Sequence, residues 1–114
     1  MPSGPDRIVV HPRVIATIAA LTALSVPGVA RLQEGGLERC ARLLRIRRSP
    51  GVDLRIEGDT VSIDLHLVIS AGFSLLDVSR RVQSAVARAI TEMTDMRVRQ
   101  VNVQIEGVRA ATYA

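Results

Sequence analysis

The side chains that could carry chemistry in this chain are few and widely spaced. Its 114 residues include two histidines and one cysteine. His11 and His66 lie in different predicted elements, and neither has a second histidine four residues away, which is the spacing of a helical zinc site. The alternating pattern around His66 predicts an exposed strand residue rather than a catalytic base.

The acidic residues also fail to form a catalytic pattern. Asp53, Glu57 and Asp64 are expected on neighbouring strands, where they alternate with Arg55. That arrangement favours cross-strand ion pairs over the paired carboxylates of a glycosidase. Cys40 excludes an internal disulfide because it is the only cysteine, and we interpret it as an inert thiol. We therefore predict no enzyme activity, no metal site and no cofactor.

Positive charge is concentrated in one segment between positions 39 and 48, which holds five arginines and no acid. They are Arg39, Arg42, Arg45, Arg47 and Arg48. The simplest interpretation is a solvated surface. The functional alternative is an electrostatic docking patch for an acidic protein or an anionic membrane, because basic segments are attracted to anionic lipid. Nucleic acid is a third class of partner.

Composition limits the classes of function further. The formal charge is +4, all basic residues are Arg, and aromatic residues make up 2% of the chain. So few aromatics argue against base stacking, the common mode of binding single-stranded nucleic acid. No apolar run approaches the roughly 18 residues of a membrane span, and the first ten residues lack the apolar core of a signal peptide. We therefore expect a cytoplasmic protein.

A strand, a helix and a second strand form the most regular part of the sequence. Val61–Ser70 and Val98–Glu106 alternate apolar and polar residues, the period of a strand with one buried face. Between them, Leu75–Met93 repeats apolar residues every three or four positions, and Ser74 is placed as its N-cap. Short joints predict a right-handed β-α-β crossover with parallel strands.

Two further elements complete the predicted domain. Val52–Glu57 alternates in the same way, and Gly58-Asp59 predicts a tight hairpin into the next strand. Pro12 predicts the first turn of an earlier helix, which Pro27-Gly28 ends. Its predicted core face carries the larger apolar residues, and its alanines predict a close contact between helices. The predicted core face is Val14, Ile15, Ile18, Leu21 or Thr22, and Leu24.

The predicted fold class is α/β, a two-layer sandwich. A small mixed sheet with a β-hairpin and the crossover carries two main helices on one face. The other face would be solvated or would meet a partner. We expect a disordered N-terminus at 1–7, one domain at 8–109 and a flexible tail at 110–114. A short strand is also predicted at 29–32.

Three stretches resemble one family. They are Val14-Ile15-Ala16-Thr17-Ile18-Ala19 leading to Val26-Pro27-Gly28-Val29; Val61 to Gly72 followed by Val78, Val82-Gln83 and Val86; and Met93-Thr94 followed by Val98, Val101-Asn102-Val103 and Gly107-Val108. In order and spacing they resemble the alkaline shock proteins of bacteria, also called Gls-type envelope stress response proteins. Two positions depart from that pattern: Ala71 replaces an aromatic residue before Gly72, and Asp95 replaces a glycine.

The resemblance implies a non-enzymatic cytoplasmic protein of the envelope stress response. It implies self-association and, in some members, attachment to the membrane through a separate integral-membrane anchor. We expect a protein-interaction or scaffold module at the membrane. The competing prediction is a basic nucleic-acid-binding regulator, which rests only on the balance of charge. Self-association is expected through the first helix or the polar face of the sheet.

Overall fold

The computed structural model describes residues 9–33 and 48–110. The elements in order are α1 (Pro12–Ser25), β1 (Val29–Leu32), β2 (Arg48–Ser49), β3 (Val52–Glu57), β4 (Thr60–Ser70), α2 (Leu75–Thr94) and β5 (Arg97–Arg109). The predicted disordered N-terminus at 1–7 lies outside the described residues, as does the tail beyond Ala110. The α/β sandwich predicted from the sequence is confirmed.

Strand β4 is the centre of a mixed five-stranded sheet in the described part of the chain. Strand β5 runs parallel to it along one edge, over the whole length from Thr60 to Ser70. The other edge is shared by two antiparallel strands. β3 pairs with the first half of β4, through the predicted hairpin, and β1 pairs with residues Leu67 to Ile69. Short β2 extends the sheet beyond β3.

One face of this sheet forms the core with the two helices. Every second residue of β4 points towards the helices and is fully buried: Val61, Ile63, Leu65, Leu67 and Ile69. Helix α2 meets them with Val78, Val82, Val86 and Ile90, as its period predicts. Its two end residues differ from the prediction, because Leu75 and Met93 are exposed. Burying each of these aliphatic side chains contributes about 1.5–3 kcal/mol.

Helix α1 buries a side that agrees with the predicted one at Ile15 but differs from it at three other positions. Its core residues are Ile15, Ala16, Ala19 and Ala23, whereas Val14, Leu21 and Leu24 are exposed. The prediction that the larger residues face the core is therefore wrong for those three. Small alanines let α1 approach α2 and the sheet closely, and the close approach excludes bulkier side chains from that side.

The turns at the ends of the helices follow from local chemistry. The Ser74 hydroxyl accepts a hydrogen bond from the Asp77 amide at 3.2 Å, which caps α2 at its N-terminus. Asp95 ends α2 in the left-handed conformation, with φ of 59°, which is the conformation that a glycine would adopt most easily at this position. Gly28 is required between α1 and β1, because its φ is 102° and an added Cβ would lie 2.7 Å from Val78.

Two boundaries differ from the sequence prediction. Strand β5 continues through Gly107 and Val108 to Arg109, whereas the predicted strand ends at Glu106. Backbone pairing with β4 extends it, since the Ala71 amide still donates to the Arg109 carbonyl at 2.8 Å. Arg48, predicted at the end of the basic segment, forms β2 with Ser49. The rest of that segment lies outside the described residues.

Candidate functional site

The sheet face opposite the helices, here called the second face, buries polar side chains. Asp53 is 1% exposed and His66 is 5% exposed. The prediction that His66 is exposed is therefore wrong, and of the two alternatives for this face, solvation does not apply at Asp53 and His66. Val68, two residues after His66, is also buried on this face. Burial of a carboxylate and an imidazole in one place requires compensating polar contacts.

His66 lies where the two strands on one edge of β4 meet. Its backbone N–H donates to the Gly51 carbonyl before β3, and its carbonyl accepts from the Gln33 amide after β1, both at 2.9 Å. Gly51 fits here because its φ is 78° and an added Cβ would lie 2.8 Å from the Gln33 nitrogen. The backbone of His66 is therefore held by hydrogen bonds to both neighbouring segments on this edge.

The imidazole of His66 lies between two carboxylates. Nε2 is 3.4 Å from Asp53 Oδ2, and Nδ1 is 2.8 Å from Glu106 Oε2. Asp53, His66 and Glu106 are here called the charge cluster. The contact with Glu106 is a hydrogen bond, whereas the longer contact with Asp53 is an ion-pair distance.

An irregularity in β5 brings Glu106 to the cluster. Leu67 pairs with Ile105 and Val68 pairs with Gly107, so the register shifts by one residue and Glu106 has no opposite residue on β4. A β-bulge of this kind redirects the side chain of the extra residue. The carboxylate of Glu106 consequently reaches His66, forty positions earlier in the chain.

The geometry of the charge cluster favours a structural role over catalysis. A general base needs a ring nitrogen within hydrogen-bond reach of a substrate proton, but both nitrogens of His66 already face carboxylates. Among residues 9–33 and 48–110, no group of three or more His, Cys, Asp or Glu is arranged to hold a metal ion. The cluster joins β3, β4 and β5 through side chains where the sheet changes partners.

The remaining polar residues predicted on this face are separate from the cluster. Asp64 lies opposite Asp53 in the sheet register, and its Oδ1 accepts a hydrogen bond from Asn102 at 2.9 Å. The predicted ion pairs of Arg55 with neighbouring carboxylates are wrong, because Arg55 makes none within the described part of the chain. Glu57 instead lies 3.9 Å from Arg99, and both side chains are exposed, so this pair adds little stability.

The predicted docking patch is mostly beyond what the structure describes. Arg39, Arg42, Arg45 and Arg47 fall in residues 34–47, outside the described ranges, and Cys40 falls there too. The backbone of Arg48 pairs with Asp53 through β2. The structure therefore leaves the docking patch as a prediction.

The outward side of α1 carries exposed apolar residues, which we call the outer stripe. It consists of Val14, Leu21 and Leu24, which are 43%, 64% and 44% exposed. Their spacing of seven and three residues places them on one side of the helix. The half-buried Ile18 packs against the core. Arg13 is the only charged residue of α1. Sequence reasoning missed this surface because it assigned the same residues to the core.

Helix α2 is basic on its solvent side. A shallow groove there is lined by Arg80, Arg81, Ser84, Ala85 and Arg88. Arg88 forms an ion pair with Glu92 at 3.0 Å, four residues along the helix. Arg80 and Arg81 have no acidic partner among the described residues. Neither helix in the described ranges is long and apolar enough to cross a membrane.

Comparison with known proteins identifies relatives over nearly the whole chain. Residues 2–110 match the model of the alkaline shock protein family, described as having a cell envelope-related function. The uncharacterized protein YqhY of Bacillus subtilis (strain 168) is 28% identical over 112 residues, which cover 95% of this chain and 81% of YqhY. YloU of the same organism is 28% identical over 108 residues, covering 90% of this chain and 88% of YloU.

Solved structures of MamM-CTD share the fold. One has a TM-score of 0.52 at 16% identity and covers 85% of this chain and 99% of MamM-CTD. A variant in its manganese form has a TM-score of 0.51 at 15% identity, covering 85% and 99%. At this level of identity the likeness concerns the fold alone.

Proposed function

This chain belongs to the alkaline shock protein family, whose function is cell envelope-related, and we propose that it acts there as a non-enzymatic protein-interaction module. In this proposal the protein is cytoplasmic, associates with copies of itself, and is held at the inner face of the membrane by a partner. The stress-response role implied by the resemblance in sequence is part of the same proposal.

The outer stripe of α1 is the observation that carries the proposal. Its three exposed members are large and aliphatic, and they stand on a helix whose other side is already buried in the core. With the exposed Thr17 between them, the stripe residues Val14, Leu21 and Leu24 follow steps of three, four and three residues, which is the a/d spacing of helices that pack side by side. A second helix laid along this stripe would remove apolar surface from water.

Charge on α1 favours an antiparallel pairing with a second copy. Arg13 lies in the first turn, and the last turn carries no basic residue. In an antiparallel pair each Arg13 would lie near the carbonyl end of the other helix, where a cation is stabilised by about 0.3–1 kcal/mol. The alanine side, which first suggested self-association, is buried and takes no part.

The charge cluster supports the non-enzymatic part of the proposal. Both ring nitrogens of His66 lie beside carboxylates, at 3.4 Å and 2.8 Å, so the histidine is engaged in holding strands together. The location at the membrane rests on the family description and on the positive charge of Arg39, Arg42, Arg45, Arg47 and Arg48. An integral-membrane anchor protein or anionic lipid would meet that charge.

Self-association is tested by replacing two residues of the outer stripe. Leu21→Glu with Leu24→Glu places acids where a second helix would pack, and both positions are exposed, so the fold should persist. Light scattering after size exclusion should show an assembly for the unmodified protein and a monomer for the variant. Leu76→Glu is the matched control, since Leu76 is a 58% exposed leucine on α2. A monomer for the unmodified protein over a wide concentration range would refute this part.

The membrane part needs a separate experiment. The tagged protein is recovered from a native membrane fraction with and without RNase, together with a variant in which Arg42, Arg45, Arg47 and Arg48 are changed to Gln. Recovery of a membrane protein after RNase treatment supports the anchor, and its loss in the variant assigns it to the arginines. Recovery of RNA, lost on RNase treatment, would favour the nucleic-acid-binding regulator instead.

A further inference from the structure

An open cavity of about 500 Å³ lies on the second face, next to the charge cluster. We call it the trough. Its walls come from β1 and β5, on the two sides of β4, and Val68 of β4 lies between them. The residues that matter here are Arg31, Val68, Glu106, Gly107 and Arg109. Cavities of about 300–1,000 Å³ are the usual size of small-molecule sites.

Two arginines give the trough its charge. Arg31 lies beside Val68 in the sheet register and Arg109 lies beside Ser70, so they approach β4 from opposite edges. Neither has an acidic partner among the described residues. The carboxylate of Glu106 is directed at His66 Nδ1, 2.8 Å away, and so offers neither arginine an ion pair. The trough therefore attracts anions.

One of the arginines is held in place before any ligand arrives. The Arg31 guanidinium donates to Gln33 Oε1 at 3.0 Å. A guanidinium so positioned loses less freedom on binding, and its planar fork matches a carboxylate with two parallel hydrogen bonds. This arrangement suits a carboxylate or another anion that presents two oxygens to the guanidinium.

The trough has room beside β5. Val68 is 3% exposed and offers a ligand little surface, but its neighbour in the register is Gly107, where an added Cβ would meet nothing within 4 Å. Val108, which also lines the trough, is a 55% exposed aliphatic residue. Gly107 is also absent from the described glycines with positive φ. Its backbone therefore does not demand glycine, and the missing side chain is what leaves the space open.

We propose that the trough binds a small organic carboxylate, with the carboxylate group at Arg31 and Arg109 and a short alkyl group over Gly107 and Val108. This inference is independent of the proposed function, because it concerns the second face and neither the outer stripe nor the basic segment.

The test is a titration of the full isotope-labelled chain followed by NMR. Hexanoate should shift the amide signals of Val68 and Gly107 in a saturable way, with a dissociation constant on the order of 1 mM for so small a ligand. Hexanol at equal concentration should not shift them, and inorganic phosphate, which has no alkyl group to bury, should bind at least about 5-fold more weakly. Equal effects of hexanol or of phosphate would overturn the proposal, as would no saturable shift with hexanoate.

Two variants assign the binding to the trough, and a third is their control. Arg31→Gln and Arg109→Gln should each weaken hexanoate binding by about 5-fold or more, about the loss expected for one charge-assisted hydrogen bond. Arg81→Gln is the matched control, because Arg81 is exposed on α2 and also has no acidic partner in the described chain. Unchanged affinity in both trough variants would refute the site.

Gly107→Val separates binding from folding. The new side chain would fill the trough, so hexanoate binding should fall by about 10-fold or more, as expected from blocking a pocket. Valine suits a strand, so the thermal midpoint should stay the same or rise. Full binding by this variant would show that the ligand lies elsewhere and would overturn the proposal.

Discussion

The helix-covered face of the sheet and its second face bury different kinds of side chain. The first is filled by aliphatic residues that need no particular partner, whereas the second encloses the charge cluster, whose members need each other. Apolar burial is roughly proportional to area and tolerates exchange between residues of similar volume. A buried ion pair gains little overall, yet breaking it is costly because one charge is left behind. The helix-covered face therefore supplies most of the free energy of folding. The second face makes the stability of the domain depend on one particular pairing of strands.

The largest expected loss of stability comes from a substitution on the helix-covered face. Val82 is fully buried in α2, so Val82→Asp buries a carboxylate without a partner. The free energy of unfolding should fall by about 5 kcal/mol, measured by urea denaturation. The adjacent exposed residue gives the control, because Arg81→Gln should change stability by less than about 0.5 kcal/mol. Wild-type stability in Val82→Asp would mean that α2 packs differently.

A smaller effect is expected on the second face. His66→Leu keeps an apolar side chain of similar size but removes the imidazole beside Asp53 and Glu106. The loss should be about 3 kcal/mol, the range found when one partner of a buried pair is removed. Gln104→Leu is the control, since Gln104 is the exposed register neighbour of His66 on β5 and should give a change below about 0.5 kcal/mol. A neutral His66→Leu would show that the two faces do not differ in this way.

The smallest expected loss of stability comes from a substitution that separates the charge of Glu106 from its hydrogen bond within the charge cluster. Glu106→Gln keeps an oxygen near His66 Nδ1 and loses the negative charge. Glu106 is partly exposed, with 22% of its side chain accessible, so the cost should be about 1 kcal/mol. Glu57→Gln, at a 71% exposed side chain, should be neutral in the same thermal denaturation assay. Equal costs for both would indicate that solvent already screens the Glu106–His66 contact.

Most buried residues of the helix-covered face could be predicted from the sequence, because periodicity is a local property. Alternation in β4 and the three-to-four repeat of α2 identify the buried residues without knowledge of the partner. Alternation in β5 does so less well, because Val101 is buried but Ile105, predicted to face in, is 38% exposed. The hairpin at Gly58-Asp59 and the cap at Ser74 were found for the same reason. The exposure of Val14, Leu21 and Leu24 in α1 was missed because both sides of that helix are apolar. Only the close approach of α2 selects the alanine side for the core.

The second face could not be predicted because it depends on register between distant strands. His66 meets Glu106 only through the bulge in β5, and sequence alone does not fix where a bulge occurs. One signal was present: Val68 interrupts the polar side of β4, and an apolar residue there indicates that this end of the face is not simply solvated. The trough was equally hidden, since Arg31 and Arg109 are brought together by pairing with the same strand.

The central position of β4 has a consequence for how the protein opens. All of its neighbours, β1, β3 and β5, pair with it directly, so no strand of this group can detach without exposing part of β4. The amide protons in the middle of β4, around Ile63 to Leu67, should consequently exchange with solvent only when the whole domain unfolds. Protons on the outer edge of β5 exchange through smaller openings. The slowest exchange rates in β4 therefore report the global stability of the domain directly.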